Sequence, residues 1–494
     1  MTPPSQRKAP NPVDPVDPVD SAPSRASERL APGAQTSPRF VAIDFGTSNS
    51  AVALPVMNVG KVSNRSGNIN NGSAAEPGGV RLVELEPGHP TMPTAVFYRA
   101  DTPADQPDAE RLYGRAAVAA YVEGIDGRLM RSMKSILGSS MLDQGTDIGA
   151  GRSVRYRDVV TGYLRRLKTL AEAEAGQTLS RVVLGRPVFF VDGDPERDAQ
   201  AQAALETAAR DVGFAEVQFQ FEPIAAALDH ESRVTREQLV LVADIGGGTS
   251  DFSLVRVGPS RRGRIDRRDD ILGSHGVHLA GTDFDRLVEL ASILPLLGYR
   301  TRRPPLHAKN VNNANEVPRE VPSGVYFDLA TWHLINTVYA PGRIAELRSM
   351  KGWYADPRHH ARLMTAVQER LGHAMAAAAE QAKIDVAFTG RADIDLGLLE
   401  RGLKTGLQET QAAAAIEADL QRIVQAAAET AQRAGVAPAA VDVLYFTGGS
   451  TGLTPLVDRI AAGFPGAARV RGDRFASVAQ GLGWHARAVF GPGR

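Results

Sequence analysis

Two short segments combine an aspartate with glycines and hydroxyl residues in a pattern suited to phosphate binding. One covers residues 44–49 (DFGTSN) and the other covers residues 244–251 (DIGGGTSD). Glycines let backbone N–H groups approach a phosphate, and hydroxyls add donors. An aspartate that closes the preceding strand can hold a hydrated Mg²⁺ against the same phosphates. We therefore expect the two segments to clamp a di- or triphosphate from opposite sides.

The runs around these segments predict that each one forms the tip of a β-hairpin. The first tip lies between β-prone runs at 40–45 and 50–56, and the second between runs at 238–245 and 250–257. A third glycine-rich tip, at 447–452 (TGGSTG), follows a predicted strand at 441–446. The recurrence of one plan about 200 residues later predicts an internal duplication into two related lobes.

Helical periodicity fills much of the chain between the hairpins. Helices are predicted at 158–175, 195–212, 360–384 and 410–434. Alternation of β-hairpins with helices indicates an α/β protein. The run 261–270 (RRGRIDRRDD) is predicted to be a solvated loop.

Composition excludes several classes of function. The 494 residues include 56 basic side chains, 56 acidic side chains and no cysteine, which excludes disulfides, thiolate metal sites and cysteine nucleophiles. The zero net charge provides no global field for nucleic acid, and no apolar run reaches the roughly 18 residues of a membrane helix. We expect a cytoplasmic protein with no nucleic-acid or membrane partner. Residues 1–38 contain nine prolines and are predicted to be a disordered tail.

Five segments, in chain order, resemble the signatures of DnaK-type heat-shock chaperones. The same segments are similar to the phosphate, connect and adenosine motifs of the actin, hexokinase and heat-shock ATPase superfamily. The resemblance extends over about residues 39–490, and it points in particular to the YegD-like branch that consists of the ATPase module alone. The segments are 43–50 (IDFGTSNS), 221–228 (FEPIAAAL), 242–254 (VADIGGGTSDFSL), 279–285 (LAGTDFD) and 445–451 (YFTGGST).

This resemblance implies a two-lobed actin-like ATPase fold, with duplicated ribonuclease-H-like lobes and a nucleotide cleft between them. Residues 39–235 would form lobe I, and residues 236–440 would form lobe II with an insertion around 290–345. Residues 441–494 would end lobe II and return to lobe I. The chain ends without a segment that resembles a peptide-binding domain, so we expect none.

The resemblance also implies roles for individual residues with ATP or ADP and Mg²⁺ as cofactors. Asp44 and Asp244 would hold Mg²⁺ through water. The predicted hydrolytic residues are Lys134, Glu222, Thr249 and Asp251, and Pro187 resembles a proline that relays nucleotide state. The predicted nucleotide-binding residues are Gly46, Thr47, Ser48, Asn49, Gly246, Gly247, Gly248, Gly281, Glu380, Lys383, Gly448, Gly449 and Ser450.

Glu380 and Lys383 also have a simpler interpretation. Their i,i+3 spacing places both on one helical face, where an ion pair on the helix surface is the default. The resemblance instead implies that they bracket the ribose and base.

Four positions depart from the chaperone pattern. Gly452 stands where many members have an arginine that stacks on adenine, and Asn49 replaces a tyrosine. The flanking motif has Ala280 before Gly281, and Phe475 occupies a position that is acidic near the ribose. Loss of a cation–π partner weakens adenine binding by about 1 kcal/mol. We therefore expect weaker or less base-selective nucleotide binding.

The function that the sequence favours is a slowly hydrolysing, DnaK-like ATPase module with an unidentified protein partner or client. Three alternatives stay open: a nucleotide-dependent filament protein of the MreB or actin kind, a small-molecule kinase of the same superfamily, and a nucleotide-binding protein without hydrolysis. Water as the nucleophile would make the site an ATPase, whereas an alcohol would make it a kinase.

Overall fold

A computed structural model of the chain describes residues 39–56, 79–101, 111–149, 151–304, 319–472 and 476–491. These residues belong to one compact unit that begins at Pro38. The predicted tail at 1–38 and the departure at Phe475 lie outside the described residues.

The strands of the described residues are β1 (Phe40–Phe45), β2 (Asn49–Pro55), β3 (Val80–Leu82), β4 (Thr91–Pro93), β5 (Ala95–Arg99), β6 (Arg111–Tyr113), β7 (Gly127–Arg131), β8 (Gly145–Gly149), β9 (Arg152–Arg155), β10 (Arg181–Arg186), β11 (Glu216–Phe221), β12 (Gln238–Ile245), β13 (Ser250–Val257), β14 (Ile271–Val277), β15 (Arg391–Asp395), β16 (Lys404–Gln408), β17 (Val443–Thr447) and β18 (Ala468–Arg471). The α-helices are α1 (Gly114–Val122), α2 (Tyr156–Ala175), α3 (Pro195–Asp211), α4 (Glu222–Arg233), α5 (Gly281–Ser292), α6 (Gly324–Ala330), α7 (Pro341–Ser349), α8 (Pro357–Gln368), α9 (Gly372–Thr389), α10 (Glu409–Arg433), α11 (Thr454–Ala462) and α12 (Ser477–Phe490).

Two sheets share one arrangement of strands. In the first, the order is β11-β10-β1-β2-β3, with β4 also paired to β2. In the second, the order is β18-β17-β12-β13-β14. In both sheets the strand that begins the hairpin pairs parallel on one side and antiparallel on the other. The predicted hairpins therefore occupy the same place in two similar sheets.

The two hairpins also match in register. Phe45 pairs with Ser50 in the first hairpin, and Ile245 pairs with Ser250 in the second. Asp44 and Asp244 accordingly occupy the same position, one residue before the last pair of the hairpin. Each tip therefore presents its aspartate at the carboxyl end of a central, buried strand.

Helices α4 and α12 pack between the two sheets. Their small apolar residues share a buried core with Ala42 and Ala53 of the first sheet and with Val240 and Val242 of the second. A methyl group at Gly481 of α12 would lie 1.9 Å from the carbonyl oxygen of Ala225 in α4. The helices therefore cross at a distance that only glycine permits.

The outer faces of the two sheets are covered by other helices, which complete two further cores. Helices α2 and α3 supply the first of these cores, and α5, α10 and α11 supply the second. A small three-stranded sheet, β6-β5-β7, carries α1, and the helices between residues 288 and 412 form a core of their own.

The long helix predicted at 360–384 is two helices. Helix α8 ends at Gln368 and α9 begins at Gly372. Arg370 lies between them with a φ of 55°, which a continuous right-handed helix does not allow. The helices predicted at 158–175, 195–212 and 410–434 match α2, α3 and α10 to within two residues at each end.

The prediction of a solvated loop at 261–270 holds for the exposed residues 262–266, 268 and 269 but is wrong for Arg267 and Asp270. Arg267 is 3% exposed and Asp270 is 1% exposed. The Arg267 guanidinium donates to both carboxylate oxygens of Glu231 on α4, at 3.0 and 2.8 Å, and also to Asp270. Charged side chains of both signs are thus buried together as ion pairs. A count of charges in the local sequence does not reveal such burial, because the partner Glu231 lies in a different element.

Among the described helices, none combines the length and apolar character that crossing a membrane requires.

Candidate functional site

The two hairpin tips meet. A methyl group at Gly247 in the second tip would lie 3.0 Å from the Ser48 hydroxyl oxygen in the first tip. At Gly46 it would lie 2.2 Å from the carbonyl oxygen of Asn49, so the first turn closes only around glycine. The structure thus brings together segments that are separated by two hundred residues.

The third tip packs against the second. Strand β17 pairs with β12 so that Thr447 is opposite Asp244. Gly448 follows with a φ of 87°, and a methyl group there would lie 2.7 Å from the Asp244 carboxylate. The Ser450 hydroxyl donates to the Gly246 carbonyl at 2.7 Å. The tip residues Gly449 and Ser450 are thereby fixed beside the second hairpin.

The start of α5 closes the same cluster. The backbone N–H of Gly281 donates to the Gly246 carbonyl at 3.2 Å, and that of Thr282 donates to the Gly247 carbonyl at 2.8 Å. The Thr282 hydroxyl donates to the Gly247 carbonyl as well, at 2.7 Å. The second tip therefore keeps its shape through hydrogen bonds from two other segments.

Lys134 and Glu222 form a largely buried ion pair. The lysine Nζ lies 2.5 Å from Glu222 Oε1, and the side chains are 9% and 16% exposed. Lys134 belongs to a short 3₁₀ helix (Met133–Ile136), and Glu222 is the first residue of α4. Burial favours the neutral lysine, but the charges of Glu222 and Asp44 outweigh it and raise the Lys134 pKa.

Three aspartates surround this pair. Burial, together with the charge of Glu222, raises the pKa of Asp44 to about 8. Burial and the charge of Asp251 raise the pKa of Asp244 to about 7. Desolvation also raises the pKa of Asp251, against a hydrogen bond with Thr249 that lowers it. Four carboxyl groups therefore share one lysine, and this excess of acids makes the site attractive to a cation.

The glutamate and lysine predicted on α9 do not form the default ion pair with each other. Lys383 lies 2.6 Å from Asp285 on α5 and donates to the Gly281 carbonyl at 3.3 Å. Glu380 is exposed, and its charge acts on Asp285 and on Arg131. Lys383 thus contacts the cluster directly, whereas Glu380 lies at its border.

A cavity adjoins the carboxylates. Its walls combine the segment Pro187–Phe189 with Glu222, Asp244 and Asp251, and they continue to Ser274 and Gly276 on the edge strand β14. Pro187, which the sequence singles out, therefore lines the same space as the proposed hydrolytic residues.

Sequence reasoning missed three residues of the site. A methyl group at Gly185 would lie 3.3 Å from Glu222 Oε1, and one at Gly276 would lie 2.4 Å from Asp251 Oδ1. Asp285 is the partner of Lys383. The two glycines stand outside any glycine-rich tip, so only the strand register reveals them. Asp285 lies within the motif 279–285, which was a usable signal.

The sequence that forms the two hairpin tips matches a known protein family. A family model described as Hsp70 protein matches residues 40–291, which is half of the chain. The chain belongs to the Hsp70 family. Membership implies an actin-like ATPase fold, and the α/β architecture of the described residues is consistent with that fold.

This Hsp70-family chain is also similar to the chaperone protein DnaK of Mycoplasmoides gallisepticum (strain R(low / passage 15 / clone 2)). The two are 28% identical over 251 residues, which is 50% of this chain and 35% of the relative. The match thus spans about a third of the length of that curated protein.

Three of the four positions that differ from the chaperone pattern lie among the described residues of this Hsp70-family chain. Asn49 is exposed at the start of β2, and Ala280 is fully buried next to Gly281. Gly452 ends the short 3₁₀ helix after β17 (Gly449–Gly452) and has no side chain to place on a base. Asn49 and Gly452 therefore lie on the glycine-rich tips themselves.

Proposed function

We propose that this chain binds ATP with Mg²⁺ and hydrolyses it slowly, as a DnaK-like chaperone ATPase module. The observation that carries the proposal is the meeting of the two equivalent hairpin tips around the Lys134–Glu222 pair. In this reading residues 39–235 form one ribonuclease-H-like lobe and residues 236–440 form the second. Residues 441–494 return to the first lobe, and the nucleotide lies in the cleft between the lobes.

The charges of the site fit a magnesium–polyphosphate ligand. Asp44 and Asp244 provide hard oxygen ligands at equivalent ends of two strands. Among the described residues no group of three or more His, Asp or Glu side chains is arranged to hold a metal by itself. A hydrated Mg²⁺, held through water and through the phosphates of the nucleotide, suits such a sparse set. Magnesium would supply charge neutralisation to the phosphoryl group when bound.

The chain's own residues account for the remaining needs of phosphoryl transfer. Lys134 can neutralise charge that develops on the γ-phosphate, and Glu222 holds the lysine in place. Asp251, held by Thr249, can orient an attacking water. The tip glycines Gly246, Gly247 and Gly248 can present backbone N–H groups to the phosphates. Closure around the nucleotide would signal to a protein partner or client.

Calorimetric titration with ATP, ADP and GTP in the presence of Mg²⁺, followed by a phosphate-release assay, tests the proposal. We expect ATP and ADP to bind only with Mg²⁺, and ATP turnover to be slow. Asp244→Asn should lose most of the nucleotide binding because it removes one of the two carboxylates that would hold Mg²⁺. Asp458→Asn is the matched control, since Asp458 forms an exposed ion pair with Arg469.

Three results would count against the proposal. Equal binding by wild type and Asp244→Asn would remove the site assignment. Transfer of phosphate to an added alcohol instead of water would indicate a kinase. Nucleotide-dependent polymers in a sedimentation assay would indicate a filament protein.

A further inference from the structure

A buried arginine stands directly behind the proposed hydrolytic residues. Arg186 is 6% exposed and is the last residue of β10, where it pairs in register with Phe221 of β11. Its guanidinium lies 5.2 Å from the ring centroid of Phe221 and 5.2 Å from that of Phe190. The cation is therefore placed between the strand end that precedes Glu222 and the segment that lines the adjoining cavity.

Its hydrogen bonds fix that segment in place. The guanidinium donates to the carbonyl oxygens of Pro187 at 3.0 Å and Val188 at 3.1 Å. It also donates twice to Asp198 of α3, at 2.8 and 3.2 Å, and once to Gln202. Asp198 in turn accepts from the backbone N–H of Phe190 at 2.6 Å. The Arg186–Asp198 ion pair thus ties α3 and the end of β10 to three backbone groups of the segment 187–190.

The same strand end sets the position of Glu222. Phe221 immediately precedes Glu222, and its ring rests on Arg186. Gly185, the neighbour of Arg186, leaves room for the Glu222 carboxylate, since a methyl group there would lie 3.3 Å from Oε1. Displacement of the end of β10 would therefore move Glu222 relative to Lys134, which it contacts at 2.5 Å.

We propose that Arg186 is a positioning residue for the nucleotide site. Through one guanidinium it sets both the Pro187–Phe190 segment and the residue pair Phe221–Glu222, so that the cavity wall and the Lys134 partner keep one relative position. A lysine cannot replace it, because a single ammonium cannot donate in the planar fork that reaches two carbonyls and one carboxylate. The expected effect on ATP hydrolysis rests on the proposed function. The expected effect on the positions of residues 187–190 and 221–222 does not depend on it.

The experiment compares Arg186→Lys and Arg186→Met with a matched control, Arg362→Lys. Arg362 is 7% exposed, pairs with Glu400 at 2.6 Å and donates to the Leu296 carbonyl at 3.2 Å, within the separate helical core. Hydrogen exchange is followed in peptides that cover residues 187–190 and 220–226. Single-turnover ATP hydrolysis and ATP affinity are measured on the same samples.

We expect both Arg186 variants to exchange faster in both peptides and to hydrolyse ATP about tenfold more slowly, with ATP affinity within twofold of wild type. Arg362→Lys should change neither peptide and should keep the wild-type rate, although it lowers thermal stability. If Arg186→Met does not fold, Asp198→Asn serves as the milder variant.

Faster exchange at 187–190 alone, with 220–226 unchanged, would overturn the proposal and leave Arg186 as an anchor of α3. A wild-type protein that does not hydrolyse ATP would contradict the proposed function, while the exchange data would still decide the role of Arg186.

Discussion

The indole of Trp332 stacks on the phenol ring of Tyr121, with the ring centroids 4.9 Å apart and the planes at 27°. The Arg131 guanidinium lies 4.3 Å from the centroid of the same indole. Tyr121 is on α1 and Arg131 ends β7, whereas Trp332 follows α6, so the contact joins segments more than 200 positions apart. It fastens the small sheet of the first half to the helical region of the second.

Trp332→Ala should speed nucleotide release by about tenfold. Stacked aromatic pairs contribute about 0.5–1.5 kcal/mol and cation–π contacts about 0.5–1 kcal/mol. Loss of both would favour opening between the small sheet and the helical region. Stopped-flow release of a fluorescent ADP analogue measures the rate. Trp353→Ala is the control, because Trp353 also lies under an arginine, Arg303, at 4.1 Å. Equal acceleration in both variants would show that the contact does not restrain the cleft.

Lys134→Ala should reduce ATP hydrolysis by about a hundredfold, since removal of one preorganised donor to a developing charge has effects of this size. ATP affinity should fall much less. Phosphate release under single-turnover conditions measures the effect. Lys404→Ala, which removes an exposed lysine paired with Asp395 at 3.5 Å, should keep the wild-type rate. Wild-type turnover in Lys134→Ala would withdraw the role given to this lysine.

Gly448→Ala should destabilise the protein more than Gly466→Ala, although the two glycines have φ angles of 87° and 89°. The positive φ costs alanine about 1–2 kcal/mol at both positions. At Gly448 the methyl group would also lie 2.4 Å from the Ile245 carbonyl, which adds about 1–3 kcal/mol of overpacking, whereas Gly466 has open space. Denaturant unfolding compares the two, and titration should show weaker nucleotide binding for Gly448→Ala alone. Equal loss of stability would contradict the packing described for the third tip.

Glu231→Gln should lower the free energy of unfolding by about 3 kcal/mol, because it leaves the buried Arg267 with only one of its two carboxylate partners, Asp270. Asp229→Asn removes a carboxylate from the same helix. Asp229 pairs with Arg233 at 2.8 Å, but both side chains are more than half exposed. That change should cost less than about 1 kcal/mol. Urea unfolding measures both, and a similar small effect would indicate that the buried pair is dispensable.

Stability should fall in acid partly through His485. Burial lowers the pKa of this histidine from 6.5 to about 4, assisted by the charge of Arg267. The unfolded chain therefore binds the proton more readily than the folded protein between pH 6.5 and 4. The contribution of the neutral ring is complete above pH 6.5 and falls as the pH decreases, by about 3 kcal/mol at pH 4.

Unfolding free energies at pH 7, 5.5 and 4 test this for wild type and His485→Asn, which can keep the contact with Gln220. The variant should lose less stability between pH 7 and pH 4. Parallel pH profiles would exclude His485 as a source of the acid sensitivity.

Local pattern was sufficient for the hairpins and most helices. The strands predicted at 40–45 and 238–245 have the bounds of β1 and β12, since central buried strands are uninterrupted runs of β-prone residues bounded by glycine. Helix α3 begins at Pro195, the predicted first residue, and Asp194 caps it by accepting from the Arg197 N–H at 3.1 Å.

Long-range features were beyond local pattern. Lys383 forms an ion pair with Asp285, and the buried Arg267 forms one with Glu231. Tertiary packing decides which of several charged side chains meet, so local sequence does not predict these pairs. The role of Gly185 depends on the register between β10, β11 and the start of α4. The periodicity of apolar residues does not predict that register. Residue roles in the site came from motif resemblance, and they stay predictions until the variants are measured.

The close crossing of α4 and α12 has a mechanical consequence. Gly481 packs directly against the Ala225 carbonyl, so the close packing of the two helix backbones restricts sliding of one helix along the other. We expect a change of angle between the two sheets to turn about this crossing, which lies close to Glu222, the first residue of α4. Such a rotation would displace the Glu222 carboxylate relative to Lys134, its ion-pair partner.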